Sequence, residues 1–507
     1  MDKQIAGLIE DLVLYARKNL DLCTEDAVVA RNQLLELYSI TNPSERQGID
    51  KNFQTEILDK LVNFGLEMGL GDSASPVLLE TKIMGLVCPS AGLVVNIFNQ
   101  IKEKNGLDKA LEYFYKISVN SNYIRMCDVN KNICWYSEGV NGQVGITINL
   151  SKPEKDPKQV LAEKNFKGNK YPKCMLCLEN IGFQGNLRHP ARQTLRIIPI
   201  KLNNENWHLQ YSPYVYYDQH CIAFCDEHRP MKITPLTFVR LCDFVDIIPQ
   251  YFMGSNADLP IVGGSILAHD HYQGGKKVLP MLSRPIRKSY LESKEVSVDI
   301  KDWYNSVVSV HGIDKNKVIA VATEFLNTWR EYTDESVGIL ATSNGECHNT
   351  ITPISHKEGK EYVLDLILRN NRTDENHPFG IFHPTVDMHN IKKEGIGLIE
   401  AMGLFILPGR LKKETATLIE LLQKGNIDFD KLANDESINK HIDMLKSIYE
   451  TLNKNGVDEE TAKKAVSSRI EKTCFAILEC TAVFKNTTTG QNAFDKYVNL
   501  VLSKINN

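Results

Sequence analysis

Gly263-Gly264-Ser265-Ile266-Leu267-Ala268-His269-Asp270-His271-Tyr272-Gln273-Gly274-Gly275 is an apolar run that ends in two histidines one residue apart, with glycine pairs on both sides. Taken as a strand over 266–273, its period of two sends His269, His271 and Gln273 to one face, and Asp270 and Tyr272 to the other. Two imidazoles and a carboxamide make a poor apolar core face. They make a good place for chemistry on a polar group. The glycines let another backbone, or a phosphate, come close.

Outward from this stretch, short strands alternate with single helices. Residues 195–200, 207–211 and 219–225 alternate as strands, and 234–251 returns to helical spacing with Phe238, Leu241, Val245 and Ile248 on one side. Strands, then a helix, then the histidine strand describe an α+β unit with an antiparallel sheet, assigned to 166–300. A second unit of the same type is expected over 301–411, with helices at 303–310 and 318–330. Its strands are expected at 338–342, 362–368 and 381–383, with a buried strand-like run at 395–407. Residues 1–165 read as a helical region that passes into strands at 123–126 and 144–150, and 412–507 as amphipathic helices.

Composition narrows the function. The 507 residues are too many for one ordinary domain. Lys and Arg number 59 against 63 Asp and Glu, a net charge of −4, so no basic field argues for nucleic acid or an acidic membrane surface. The first twenty residues carry acids within their apolar pattern, unlike a signal peptide. No apolar run reaches the roughly 18–20 residues of a spanning helix. Twelve cysteines follow no disulfide rhythm and read as reduced thiols in a cytoplasm.

Three constellations can carry chemistry. Cys174 and Cys177 form C-x-x-C, a spacing that lets two thiolates reach one zinc from a tight turn. His228 and His269 are the natural further ligands, with Cys225 beside His228 as a rival pair. His271 is a candidate nucleophile: a neutral imidazole can attack phosphorus if its other nitrogen is anchored, and the His269 carbonyl two residues back is placed to accept that N–H. Gln273 would then donate to a phosphate oxygen, with backbone N–H groups near Gly264 and Ser265 adding to the cradle. The third is the segment from His377 through His383 to His389, a second metal site or a sugar-phosphate contact, followed by Lys392-Lys393 as phosphate binders.

On these residues the chain resembles the galactose-1-phosphate uridylyltransferases, specifically the longer bacterial second class, within the histidine-triad superfamily. The stretches that carry the likeness are YSPYVYYDQHCIAFCDEHRPMKI, YFMGSNADLPIVGGSILAHDHYQGG and FGIFHPTVDMHNIKKEGIGLIEAMGLFILPGRL. The first class has H-P-H-x-Q where this chain has His269-Asp270-His271-Tyr272-Gln273. The resemblance implies two histidine-triad-like halves with antiparallel sheets, and a ping-pong exchange. In it His271 attacks the α-phosphorus of UDP-glucose, glucose 1-phosphate leaves, and galactose 1-phosphate takes the uridylyl group to give UDP-galactose. Gln273 would bind the transferred phosphoryl group, and Asn256 and Ser265 would contact the nucleotide. It also implies zinc on Cys174, Cys177, His228 and His269, no organic cofactor, and a cytoplasmic homodimer. The second metal site of the first class uses a Glu soon after the nucleophile; residues 274–290 contain none, so that site is not expected. The competing expectations are a dinucleotide hydrolase or phosphorylase of the same superfamily, and a zinc-stabilised nucleotide-binding protein without catalysis.

Overall fold

Ten antiparallel strands form one continuous sheet through the middle of the chain. The structure, a computed structural model, describes residues 1–45, 52–151, 171–186, 189–264, 266–276, 279–291 and 295–505. Strands Ile198–Leu202 (β1), Glu205–Tyr211 (β2) and Cys221–Cys225 (β3) lead into helix Pro235–Ile247 (α1), then Tyr251–Gly254 (β4) and His271–Lys276 (β5). The same succession recurs as Ile286–Leu291 (β6), Ser297–Lys301 (β7), Val307–Gly312 (β8), helix Lys315–Glu331 (α2), Asn349–Glu358 (β9) and Glu361–Asn370 (β10). The spatial order is β1-β2-β3-β5-β4-β9-β10-β8-β7-β6. Counted from its own edge, each half therefore runs first, second, third, fifth, fourth. The seam between them is the pairing of β4 with β9, Gly254 against Ile354 and Met253 against Ser355.

Local chemistry explains the elements. α1 opens on a capping box between Thr234 and Thr237, with Pro235 in the first turn. At α2, the Asp314 side chain accepts from the Asn316 and Lys317 amides. Val318, Val321, Phe325 and Trp329 of α2 meet Val308, Val310, Leu364, Leu366 and Leu368 on one face of the sheet. Each such side chain contributes roughly 1.5–3 kcal/mol on burial. The other face carries Phe252, Ile354 and Ile367 towards Leu398 and Phe405 and the C-terminal helices, including Glu459–Thr481. A smaller sheet joins Ile133–Gly139, Gly142–Ile148 and Leu404–Leu407, the last pair in parallel. The N-terminal helices, from Asp2–Asn19 to Leu107–Asn120, share a separate cluster with Trp207, Tyr211 and Tyr272.

Several local expectations are corrected. Residues 303–310 are not helical: Val307 to Val310 belong to β8, where β-branched side chains alternate between the two faces. Residues 123–126 form no strand, and a helical turn begins at Met126. The run 395–407 divides into the helical turn Leu398–Ala401 and the strand Leu404–Leu407. Residues 381–383 are not a strand, and of 338–342 only Thr342 is in one. β6 and β7 precede residue 301 yet stand beside β8 in the second half's order.

Candidate active site and metal centre

The opening stretch becomes strand only at His271. Before it, the backbone bonds with the 225–231 turn instead: Met231 N–H donates to Leu267 O at 2.9 Å, Asp270 N–H to Arg229 O at 2.8 Å, and Cys225 N–H to Asp270 O at 3.0 Å. His269 therefore lies just outside the strand expected to contain it, and its ring packs edge-on to Phe224 of β3 at 6.1 Å.

Four ligand atoms meet there. Cys174 Sγ lies 3.2 Å from His269 Nδ1, Cys177 Sγ lies 3.1 Å from His228 Nδ1, and the two sulfurs are 3.5 Å apart. A tetrahedral zinc with S and N ligands at about 2.3 and 2.0 Å has edges of roughly 3.3–3.8 Å, so the donor set fits one. Among the described residues these four are the only group of three or more His, Cys, Asp or Glu able to hold a metal ion, and the Cys225 thiol is not in it. Cys225 contributes its carbonyl, which accepts from His269 Nε2 at 2.8 Å and leaves Nδ1 free to ligate. The Cys-x-x-Cys turn is pinned by buried Asn180, whose Nδ2 donates to both cysteine carbonyls at 2.8 Å. Burial and the hydrogen bond to Cys174 push the Cys177 thiol up to about 11, a bias that a coordinated cation reverses.

His271 is 5% exposed, and its Nδ1 donates to the His269 carbonyl at 2.8 Å, the anchor anticipated from the spacing. Burial drives its pKa down to about 4, so at neutral pH the ring is uncharged and Nε2 carries the lone pair. Gln273 lies two residues on and shares the face. Its Oε1 is 3.2 Å from Nε2 of His220, a buried histidine whose Nδ1 has no partner among the described residues. The proton belongs on the nitrogen that has an acceptor, so His220 donates to Oε1 and turns the Gln273 amide N–H groups outward. On the opposite face Tyr272 stacks on Trp207 at 4.8 Å.

Asp270 joins a charge network beside the cysteines. Its Oδ2 lies 3.4 Å from Arg229 and 3.9 Å from Arg240, and both arginines also hold Glu205, at 2.5 and 2.8 Å. Burial raises the Asp270 pKa to about 6 against the pull of Arg240 and Arg229.

The remaining candidates converge on the same sheet face in part. Asn256 Oδ1 accepts from Leu398 N–H at 2.8 Å, and a Cβ on Gly264 would fall 2.7 Å from Asn256 Nδ2, so glycine is required for that contact. Ser265 lies outside the described residues. His383 is buried, with Nδ1 3.3 Å from Pro384 O; burial, then the charges of Arg369 and His389, lower its pKa to about 4. Lys392, expected as a phosphate binder, is 6% exposed and bonded to Glu400 at 2.9 Å and to Ile406 O at 3.0 Å. His377 is exposed and bonds Asp374, so the histidines of this segment do not gather as ligands. Two residues on this face escaped sequence analysis. His220 has no local mark, whereas Arg369, a lone cation in the apolar strand Leu364-Asp365-Leu366-Ile367-Leu368-Arg369, could have been noticed.

Fold and site together have the form of a nucleotidyltransferase built from two halves of matching strand order. The family profiles "Galactose-1-phosphate uridyl transferase, N-terminal domain" and "C-terminal domain" match residues 65–230 and 244–427. Proteins named galactose-1-phosphate uridylyltransferase are similar over nearly the whole chain. That of Caldanaerobacter subterraneus subsp. tengcongensis is 45% identical, covering 98% of each chain. That of Clostridium acetobutylicum is 44% identical over 97% of this chain and 99% of its own. The Bacillus subtilis protein is 40% identical over 98% of each. The chain belongs to the galactose-1-phosphate uridylyltransferase family. Among the described residues, no single helix is long and apolar enough to cross a membrane.

Proposed function

We propose that this chain is a UDP-glucose–hexose-1-phosphate uridylyltransferase that works by ping-pong transfer through His271. Nε2 of His271 attacks the α-phosphorus; the N–P bond forms as the bond from that phosphorus to the bridging oxygen breaks, and glucose 1-phosphate departs. Galactose 1-phosphate then attacks the uridylyl-histidine, and the ring returns to its neutral form. Throughout, Nδ1–H stays on the His269 carbonyl, which steadies the positive charge that grows on the ring. Gln273 donates to a non-bridging oxygen as charge builds there, aimed by His220. Asn256, Gly264, Ser265 and His383 contact substrate; Lys392 does so only by exchanging Glu400 for phosphate. Zinc on Cys174, Cys177, His228 and His269 would supply structural rigidity next to the nucleophile.

The observation that carries this proposal is the buried, uncharged His271 ring with its Nδ1 on the His269 carbonyl and no partner for Nε2 among the described residues. In the same proposal the first half, with strands β1 to β5, does the chemistry, and the protein is a cytoplasmic homodimer. Twelve free thiols support the reducing compartment. The test is isotope exchange: labelled glucose 1-phosphate should enter UDP-glucose with no galactose 1-phosphate present. Release of UMP without exchange would mark a hydrolase and end the proposal.

A further inference from the structure

Arg369 on β10 is 1% exposed. Its Nη2 donates to Ile396 O at 2.8 Å, and among the described residues Nε and Nη1 have no partner. The carboxylate whose charge reaches it, Glu400, is already bonded to Lys392 at 2.9 Å. A guanidinium stays charged inside a protein, and a buried charge with empty donors is strongly disfavoured unless an anion meets it.

The sheet register places this cation relative to the nucleophile. Gln273 pairs with Gly254, Gly254 with Ile354, and Ile354 with Asp365, so these four share a face. Arg369, four residues beyond Asp365 on the same strand, shares it too, as does His271. β10 stands three strand spacings from β5, about 14 Å across the sheet. One segment ties the two regions: Ile396 O receives Arg369, and two residues on Leu398 N–H donates to Asn256. This covering segment, 381–397, contains only the short 3-10 turn Val386–Met388.

We propose that Arg369 is the cation that binds the phosphate of the hexose 1-phosphate, the group that leaves in the first half-reaction and attacks in the second. The inference rests on the uridylyl-transfer reading. Nε and Nη1 open on different edges of the guanidinium, so each can give a single charge-assisted hydrogen bond to a phosphate oxygen. The α-phosphate stays with Gln273, so UMP should not use Arg369.

Calorimetric binding of glucose 1-phosphate and of UMP to the full chain tests this, with Arg369→Gln and Arg369→Lys. Glucose 1-phosphate should weaken about 30-fold or more in Arg369→Gln and recover partly in Arg369→Lys, with UMP within about two-fold of the unsubstituted protein. Unchanged glucose 1-phosphate affinity, or equal weakening of both ligands, would overturn the assignment. If Arg369→Gln does not fold, a crystal structure of the unsubstituted protein with glucose 1-phosphate decides. A phosphate oxygen hydrogen-bonded to Nε or Nη1 supports it; water there, with the phosphate elsewhere, refutes it. Failure of uridylyl transfer itself would show separately, as no label exchange by the unsubstituted protein.

Discussion

Replacing His220 with Phe should lower the rate of uridylyl transfer about 10- to 30-fold while leaving the protein folded. The ring is buried between Tyr216, at 5.2 Å, and Tyr217, at 4.6 Å, and Phe fills that space. What disappears is the 3.2 Å bond to Gln273 Oε1. Deleting an oxyanion donor outright costs about 2.7–4 kcal/mol in the transition state. Here the donor remains but is free to turn, so roughly half of that, about 1.4–2 kcal/mol, is lost, or 10- to 30-fold. Gln273→Ala should lose the whole term, on the order of 10²–10³-fold. The assay is single-turnover formation of labelled uridylyl-protein from UDP-glucose. If His220 acts through Gln273, the double variant is no slower than Gln273→Ala alone. Additive losses would refute the coupling, as would an effect confined to KM. Burial holds the His220 pKa near about 4, below its ordinary value, so its uncharged donor form persists through the neutral range. The stability linked to that neutral ring is lost only as pH falls from about 6.5 through about 4.

Three further outcomes are expected. His271→Asn should accumulate no acid-labile uridylyl label and catalyse no exchange, while circular dichroism stays unchanged; residual label would move the nucleophile elsewhere. Cys174→Ser should lower bound zinc by elemental analysis and lower Tm, and full zinc content in that variant would remove Cys174 as a ligand. Asp365 is fully buried, 2.7 Å from Lys301 and 3.4 Å from His356; burial works against its charge, but the Lys301 charge prevails and holds the carboxyl well below its ordinary range. Asp365→Asn should therefore cost about 3–5 kcal/mol in urea unfolding at pH 7. Because the folded pKa is depressed, the wild-type advantage is present above the unfolded value of about 3.9 and should shrink as pH drops below it.

The chemistry was more legible in the chain than the geometry. The approach of Cys174 to Cys177 and the bond from His271 Nδ1 to the His269 carbonyl could be read from spacing alone, because a C-x-x-C turn and a carbonyl two residues back are local features. The strand period nevertheless carried the strand back through His269, whereas it begins at His271. Nothing local reveals that the 225–231 turn captures the backbone of 267–270. Val307 to Val310 looked helical because a short apolar run has no decisive period. A second unit of similar type could be read, but not its fusion into a single sheet. That depends on Gly254 meeting Ile354, a pairing one hundred residues apart in sequence. His220 stayed hidden for the same reason: its partner, Gln273, is set by tertiary packing.

The β4–β9 seam also limits how this molecule can move. Proteins whose halves are joined by a linker can grip a ligand by hinge closure, swinging one lobe against the other. Here both halves share one hydrogen-bonded ladder, so such a swing would have to tear the backbone pairing of Gly254 and Met253 from Ile354 and Ser355. Opening and closing must instead fall to the irregular segments around 256–264 and 381–397, which lie against each other where Gly395 meets Ile261 O. Substrate exchange should then appear as fast local breathing of two loops over a stationary platform, with hydrogen exchange confined to them and β5 and β10 protected together.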